Sequence, residues 1–578
     1  MTIITWKDNN TTETSHRIYR STDGTNYSLV GTVTSASPAT TGTLTFDDGF
    51  VFASQPYVSY RVSAVRFQAG SAEEEANSRY FVLFNPAAPT LTMQVDPAIA
   101  STLSGASSGA AFKLPLLASG TYNFAVDWGD GTPFDIITSH NQFETTHNYT
   151  VTGNRTIRIV GQIDGFAFLG QGDAPKLRQI TNWGPLKLTN TGGYFWGCAN
   201  LTTIPTASPD LTATGNIITN LSNTFRDCAL FNSANVNSWV LPTAAGLNVN
   251  MQGFLRGALI FNQPLSALNT SRVTNFSECF YSARAFNQAL SAWSTAAATN
   301  LSYMFYDARA FNQNIAGWNT AAVTSLAYTF AALETTLSNI LFPATFDAPM
   351  AFNNGGQALA WNTANVVNME STFEGATAFN SNITSWDTSK VTNMSSMFQG
   401  ATAFNQAISR SGNQWNTIGV TNMNRMFAGT TAFNGDISNW QVNNVADLSF
   451  MFAGATAFNR NIGGWATGNV ANMESALQNA SAFNQNIGGW NMTKVAAVSF
   501  DLDVNNNQIN YRNSAVNMLS NSGLSTANYS STLQGWAPQT VLSGVRLNAA
   551  GRTRNADGTT AFNTLVGKGW TITDGGAA

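Results

Sequence analysis

The chain has 578 residues, only 10% of them charged, and a net charge of −4. That length calls for several domains, and the charge balance excludes the basic footprint of a nucleic-acid-binding surface. Three cysteines are too few for a disulfide scaffold, and no apolar run reaches membrane-spanning length, so no membrane insertion is expected.

The first ten residues, MTIITWKDNN, carry neither a basic n-region nor an apolar h-region. No secretory signal is expected there, and no lipidation cysteine follows the start. Residues 1–85 then alternate apolar and polar in short runs: RIYRS, YSLVGTV, TLTFDD and YVSYRVSAV. Turns fall between them at Asp23-Gly24 and Asp48-Gly49. That pattern predicts an antiparallel sandwich. With Trp6 near its start, HRIYRSTDG at 16–24, and SYRVSAV at 59–65 before the polar turn QAGSAEEE, the segment resembles a fibronectin type III domain. The family's corner tyrosine falls at Val58 by strict count, with Tyr57 and Tyr60 as the alternatives. The resemblance implies a spacer or docking module.

Residues 86–89 read as a linker, because two prolines around small residues favour extended backbone. Residues 90–165 hold a second expected sandwich. Its TYNFAVDWGDGTPF at 121–134, followed by HNYTVTGNRTIRIVG at 147–161, resembles a PKD-like domain. Ala98–Ala111, rich in small residues, reads as loop. Asp127 and Asp130 flank Trp128, and their oxygens suit calcium. Two carboxylates on a tight turn also cap backbone amides, the commoner use. His140 and His147 have no Cys or His companions at zinc-ligand spacing.

From residue 166 to 500 a repeat takes over. Residues 166–230, with LRQITNWGPLKL and NLTTIPTASPDL, read as atypical first turns, since one face of a first turn has no neighbour. The pair Phe-Asn then recurs at Phe231, Phe261, Phe286, Phe311, Phe352, Phe379, Phe404, Phe433, Phe458 and Phe483. The dominant step is about 25 residues, the length of one leucine-rich-type turn. Trp293, Trp318, Trp386, Trp440, Trp465 and Trp490 follow at a near-constant distance. Val-Thr-Asn-Met or a variant begins at Val273, Val323, Val391, Val420, Val445 and Val470, and Met-Phe stands at Met304, Met397, Met426 and Met451.

About five apolar positions per repeat cannot close a core alone, so stacked turns must bury the columns against each other. A short strand is expected around Val-Thr-Asn-Met, with irregular structure elsewhere. Strands about 4.8 Å apart would make a rod of about 50 Å from some eleven turns. Each Asn after Phe is expected to hydrogen-bond from turn to turn; a row of exposed amides binding a ligand is the alternative. The Phe and Trp columns are expected to be core. Cys198 in GCANL and Cys228 in DCALF occupy the column of Ala401 and Ala455, and so read as small buried residues; Cys279 reads as a core substitute elsewhere in its repeat.

The phrases VTNMSSMFQGATAFNQAIS and GGWNMTKV resemble the BspA-type, Listeria/Mycoplasma-like leucine-rich surface repeat family. The resemblance implies an extracellular or surface-displayed, non-enzymatic protein and names no ligand. Residues 501–578 leave the repeat as a C-terminal cap, with short helices expected at Ala515–Ser520 and Tyr529–Gly535 and an amphipathic turn and strand in TAFNTLVGKGWTITDGG. The fold expected is therefore mainly β: two N-terminal β-sandwich domains, then a leucine-rich-repeat-type solenoid, then the cap.

No nucleophile elbow, phosphate loop or metalloprotease helix occurs. The repeat carboxylates Asp307, Glu374, Asp387, Asp436, Asp447 and Glu474 form no column. No catalytic, cofactor or metal residue is assigned, and neither an enzyme nor a cofactor is expected. A surface-type repeat without a visible export signal points to a structural virion protein. Its sandwiches would contact other virion proteins, and its solenoid would meet a host-surface protein or polysaccharide. A bacterial cell-surface or secreted adhesin is the alternative, and a decoration protein without ligand is a third reading. A homo-oligomer is left open, with no coiled-coil heptads to mark one. The insertion Leu333–Pro349 is the candidate binding loop, since loops carry function on rigid scaffolds, against the alternative that it packs on the repeat.

Overall fold

The computed structural model describes residues 2–8, 13–35, 42–66, 74–77, 80–332, 349–495, 499–502, 508–511 and 515–578. Strands make up 23% and helices 7%, so the chain is mainly β, in several sheets, and none of them closes into a barrel among the described residues. Two compact units emerge. One joins Met1–Ile218 with Asp227–Val240; the other joins Thr219–Arg226 with Leu241–Ala578.

In the first unit, alternation of residue type builds the sheets. Strands β1 (Ile3–Asp8) and β4 (Gly42–Asp47) pair antiparallel. Strands β2 (Ser15–Ser21), β3 (Ser28–Thr34), β5 (Tyr57–Arg66), β6 (Glu74–Asn77) and β7 (Phe81–Phe84) form a second sheet in which β5 is central. Ile4 of β1 meets Ile18, Val58, Tyr60 and Val62 of the larger sheet in one buried cluster, so the two sheets share a core. The tyrosine alternatives separate here. Tyr60 stacks on Phe81 and donates to Asp48 Oδ2 at 2.7 Å. Tyr57 points elsewhere and donates to Asn123.

Asn85-Pro86-Ala87-Ala88 is not extended. Ala88 N–H closes a turn onto Asn85 C=O, and the Asn85 side chain accepts from Ala87 N–H. Proline at the second position presets a turn's φ, and asparagine before it caps the bend.

Strands β8 (Leu91–Val95), β10 (Leu116–Asp127), β11 (Asp135–Ile137), β13 (Arg155–Phe166) and β14 (Leu177–Asn182) make the next sheet, in the order β11-β10-β13-β8-β14. Strands β9 (Ala111–Lys113) and β12 (Thr146–Asn148) pair beside it. This sheet runs past residue 165. β14, expected as a first repeat turn, pairs antiparallel with β8 and also bridges Thr203 in parallel. Asp173 and Lys176 are buried together, 3.1 Å apart. Asp173 accepts from Ser107 N–H, Ser107 Oγ and Lys113 N–H, while Lys176 donates to Ala111 C=O. This pair ties the Ala98–Ala111 loop to the sheet.

The second unit is built from one pattern. The strand expected at each Val-Thr-Asn-Met shortens to single parallel bridges: Asn300 to Ser325, Ser325 to Asn368, Asn368 to Asn393, Asn393 to Asn422, and onward to Asn472. Val273–Asn275 keeps three extended residues. Two local features stop the strand. The bridging Asn393 accepts from Ser395 N–H two residues on, closing an Asx turn. Three residues after the bridge the backbone turns left-handed, at Glu278, Tyr303, Tyr328, Ser371, Ser396, Arg425, Phe450 and Ser475, which no β-strand tolerates.

From there, alternate N–H groups bond within and between turns. Met394, Ser396, Phe398 and Gly400 donate to Asn422, Asn424, Met426 and Ala428 of the next turn, while Met397, Gln399 and Ala401 close turns on their own segment. The side chains repeat with the same register. Phe404 stacks on Phe379 at 5.9 Å and on Phe433 at 5.8 Å. Trp415 stacks on Trp440, and each indole N–H reaches back a turn, Trp440 to Ile408 C=O at 2.9 Å. Trp361 and Trp415 also belong to this column, which the regular spacing had hidden. The asparagines form a ladder: Asn380 Oδ1 accepts from Asn405 N–H, Asn405 Oδ1 from Asn434 N–H, and Asn434 Oδ1 from Asn459 N–H.

Ala515–Ser520 is not a helix. It resumes the pattern, with Ser475, Leu477 and Asn479 donating to Val516, Met518 and Ser520. Helix α1 (Thr526–Trp536) follows, capped by Ser525, and Trp536 extends the indole column by donating to Ile487 C=O. Helix α2 (Ala556–Gly567), capped by Asn555, precedes strand Thr571–Asp574, which pairs in parallel with Arg546–Ala549.

Candidate functional site

The residues singled out by sequence have structural partners. Asp127 Oδ1 accepts from Gly129 N–H, and Asp130 Oδ1 from Thr132 N–H and Oγ1. Asp130 Oδ2 lies 2.8 Å from His147 Nε2, and His147 stacks on Trp128. Burial works to raise the Asp130 carboxyl, but the Thr132 hydroxyl and the His147 imidazole outweigh it and hold it below the usual range. Among the described residues, no three His, Cys, Asp or Glu side chains gather as metal ligands would. His140 is half-buried.

The thiols of Cys198, Cys228 and Cys279 are buried, which pushes all three well above the ordinary thiol range. A thiol kept neutral is neither nucleophile nor metal ligand. Asp387, Asp436 and Asp447 accept from backbone N–H groups two residues on. Asp307 is buried between Arg284 and Arg309, at 2.6 and 2.7 Å. The insertion from Leu333, the candidate loop, lies outside the described residues apart from Pro349.

The feature that sequence reasoning missed lies inside the repeat. The turns serve as their own alignment. Three core-facing columns change little, Phe or Leu at Phe398, Ala or Thr at Ala401 and Phe at Phe404, whereas two positions beside them vary widely and leave their larger side chains part-exposed. The first, the left-handed one, is Glu278, Tyr303, Tyr328, Ser371, Ser396, Arg425, Phe450 and Ser475. The second, three residues on, is Arg256, Tyr281, Tyr306, Ala331, Glu374, Gln399, Ala428, Ala453 and Gln478.

In three consecutive turns these positions collect four half-buried tyrosines. Tyr303 stacks on Tyr328 and Tyr281 on Tyr306, both at 4.6 Å. Tyr303 and Tyr306 join the two columns at 5.7 Å. The Arg256 guanidinium closes one end, 4.1 Å from the centre of the Tyr281 ring and paired with Glu278. Tyr328 donates to Glu370 Oε1 at 2.9 Å at the other end. Stacked rings turn their faces to one another, so edges and hydroxyls point outward. Burial, with Glu370 beside it, pushes the Tyr328 phenol up to about 12, and burial raises Tyr281, Tyr303 and Tyr306 as well. All four are neutral hydrogen-bond donors at neutral pH.

The arrangement offers an amphipathic contact surface on a backbone fixed by inter-turn bonds. Tyrosine suits that use because it brings contact area and a hydroxyl at low conformational cost. The sequence signal was present in YSARAF, YMFYDARAF and AYTF. It was hidden because every aromatic residue in a repeat reads first as core.

Among the described residues, no helix is long and apolar enough to cross a membrane. Neither the curated proteins nor the solved structures contain a match to the chain. A family model does match, described as "Mycoplasma protein of unknown function, DUF285", at residues 219–342, 340–412 and 409–515. Those segments together span more than half of the sequence, and they contain the stacked turns and the tyrosine cluster. The chain belongs to the DUF285 family.

Proposed function

We propose that this chain is a non-enzymatic attachment protein. In this reading residues 166–500 are a leucine-rich-type solenoid, closed by a cap over 501–578. A fibronectin type III-like and a PKD-like sandwich carry it and hold it to its support. The tyrosine arc is the contact surface, and a host-surface polysaccharide or protein is what it meets.

One observation carries the reading: aromatic side chains concentrate at Tyr281, Tyr303, Tyr306 and Tyr328, outward positions that the scaffold leaves free to vary. Interfaces rely on such rigid, half-polar rings. The turn-capping and ion-paired roles of Asp307, Asp387, Asp436 and Asp447 support a reading without catalysis, since a glycosidase needs two carboxylates facing across a bond.

Two settings fit. On a virion, the sandwiches would contact other virion proteins. On a bacterial cell surface the same chain would be an adhesin, and the family description, which names Mycoplasma, favours that setting. The test begins with binding of the purified chain to immobilised host-surface glycans and proteins. It is then repeated with Tyr303→Ser and Tyr306→Gln, the residues that the turn of Ser396 and Gln399 places there. Loss of binding with a chain that stays folded and melts only slightly earlier is expected, since the two rings stack on Tyr328 and Tyr281; undiminished binding removes the arc from the function. Mass spectrometry of particle and envelope fractions separates the settings, since a fixed ratio to coat protein marks a virion component.

A further inference from the structure

In the first unit a cleft of about 460 Å³ opens where Tyr80 meets the β11 region. Its walls carry three aromatic rings, Tyr80, Phe134 and Phe143, and two carboxylates, Asp135 and Glu144. His147 also lines it, and no Lys or Arg is among the described lining residues.

Each ring is held in place. The Tyr80 hydroxyl accepts from Ile136 N–H at 3.3 Å. Phe134 packs tilted against Phe84, ring centres 4.6 Å apart. Phe143 opens a short 3-10 turn, Phe143–Thr145, pinned by Gln142, whose Oε1 accepts from Ser139 N–H at 2.7 Å and Thr138 Oγ1 at 3.0 Å. Even so, Phe143 is 85% exposed, the most exposed large apolar side chain described. An apolar ring on a braced turn at a cleft mouth, with nothing of its own to pack on, is placed for a ligand.

The charges indicate which ligand. Asp135 and Glu144 both line the cleft, Asp135 Oδ2 also accepting from Trp128 Nε1 at 2.8 Å; burial raises the Tyr80 phenol against the Ile136 N–H bond, and the two carboxylates add to that rise. Ring faces carry negative quadrupole density and attract cations within about 6 Å. A small, strongly hydrated ammonium loses much by entering an aromatic cleft. An alkylated one loses little and keeps its charge.

We propose that this cleft binds a quaternary ammonium group of the choline type, between the rings of Tyr80, Phe134 and Phe143 with Glu144 as counter-charge. The site is separate from the tyrosine arc and does not rest on its role.

The test is saturation-transfer NMR on the methyl protons of choline with the full chain, followed by titration. A saturable signal is expected, with no competition from 3,3-dimethylbutan-1-ol, the neutral isostere. Phe143→Ala and Glu144→Gln, both at accessible positions, are each expected to weaken choline about tenfold while the melting curve stays in place. Equal competition by the isostere overturns the proposal, because the cleft would then be merely apolar. So does unchanged affinity in both variants, or binding of neutral oligosaccharides in preference to choline. A trimethyl-lysine peptide forms the second arm: weaker binding than choline supports a free or polymer-borne choline group, and much tighter binding overturns the choline assignment in favour of a methylated protein.

Discussion

The two units solve the problem of buried polar groups in opposite ways. In the first, each solution is used once. Asp173 collects Ser107 and Lys113 against Lys176, Tyr122 bridges two carbonyls, and Tyr57 reaches Asn123. In the second, one solution is copied: Asn Oδ1 to the next Asn N–H, and Trp N–H to a carbonyl one turn back. A unique network concentrates its stability in a few residues. A copied one spreads it evenly and exposes every turn to the same failure, because each turn contacts only its neighbours.

Substitutions can break or sharpen that contrast. The largest effect is expected from Phe404→Ala, which removes a fully buried ring stacked on both sides and is expected to cost about 4 kcal/mol. Hydrogen exchange should show the loss spreading to the turns of Phe379 and Phe433 while the first unit stays protected; uniform loss would contradict a nearest-neighbour stack. Next comes Asp173→Asn. It leaves Lys176 buried without its counter-charge, at a cost of about 3 kcal/mol. Exchange should then rise around Ala98–Ala111 and β14 and leave the repeat unchanged.

Asn405→Ala removes one rung of an exposed ladder and should lower stability by about 1 kcal/mol, read from the urea midpoint. Asn434→Ala should cost the same and Asn380→Ala somewhat more, because Asn380 Oδ1 also accepts from Gln406 Nε2; a different order would contradict the ladder. Tyr303→Ser removes a half-buried ring that stacks on Tyr328 and touches Tyr306 and should likewise cost about 1 kcal/mol, a small change in stability beside the expected loss of the proposed attachment.

Much of this was legible in the sequence where one residue type does one job at a fixed spacing. Phe-Asn marked both a stacked ring and a ladder rung, and Cys228 stood in an alanine column because that site admits only a small side chain. Legibility failed where backbone geometry overrides residue type. Val-Thr-Asn-Met looks like a strand, but Asn closes an Asx turn and a left-handed residue such as Ser396 ends the extension. Ala515–Ser520 looked helical because its distance from the preceding turn conceals that it resumes the stack. β14 looked like a repeat and proved to be a sheet edge as well. The tyrosine arc was missed because inward and outward positions differ only by the turn conformation. Phe143 gave no signal at all, since one aromatic residue in a three-residue 3-10 turn has no pattern to belong to.

The hand-over of N–H groups from Met394, Ser396, Phe398 and Gly400 to the following turn has a consequence for the gene. Because that seam has the same chemistry at successive turns, cutting out one whole copy, or inserting one, rejoins surfaces that already match. Loss or gain of one whole copy, as in a misaligned recombination, would therefore leave the inter-turn bonds in register. Turn number becomes a variable that selection can adjust, while the two outward positions in each copy diversify independently.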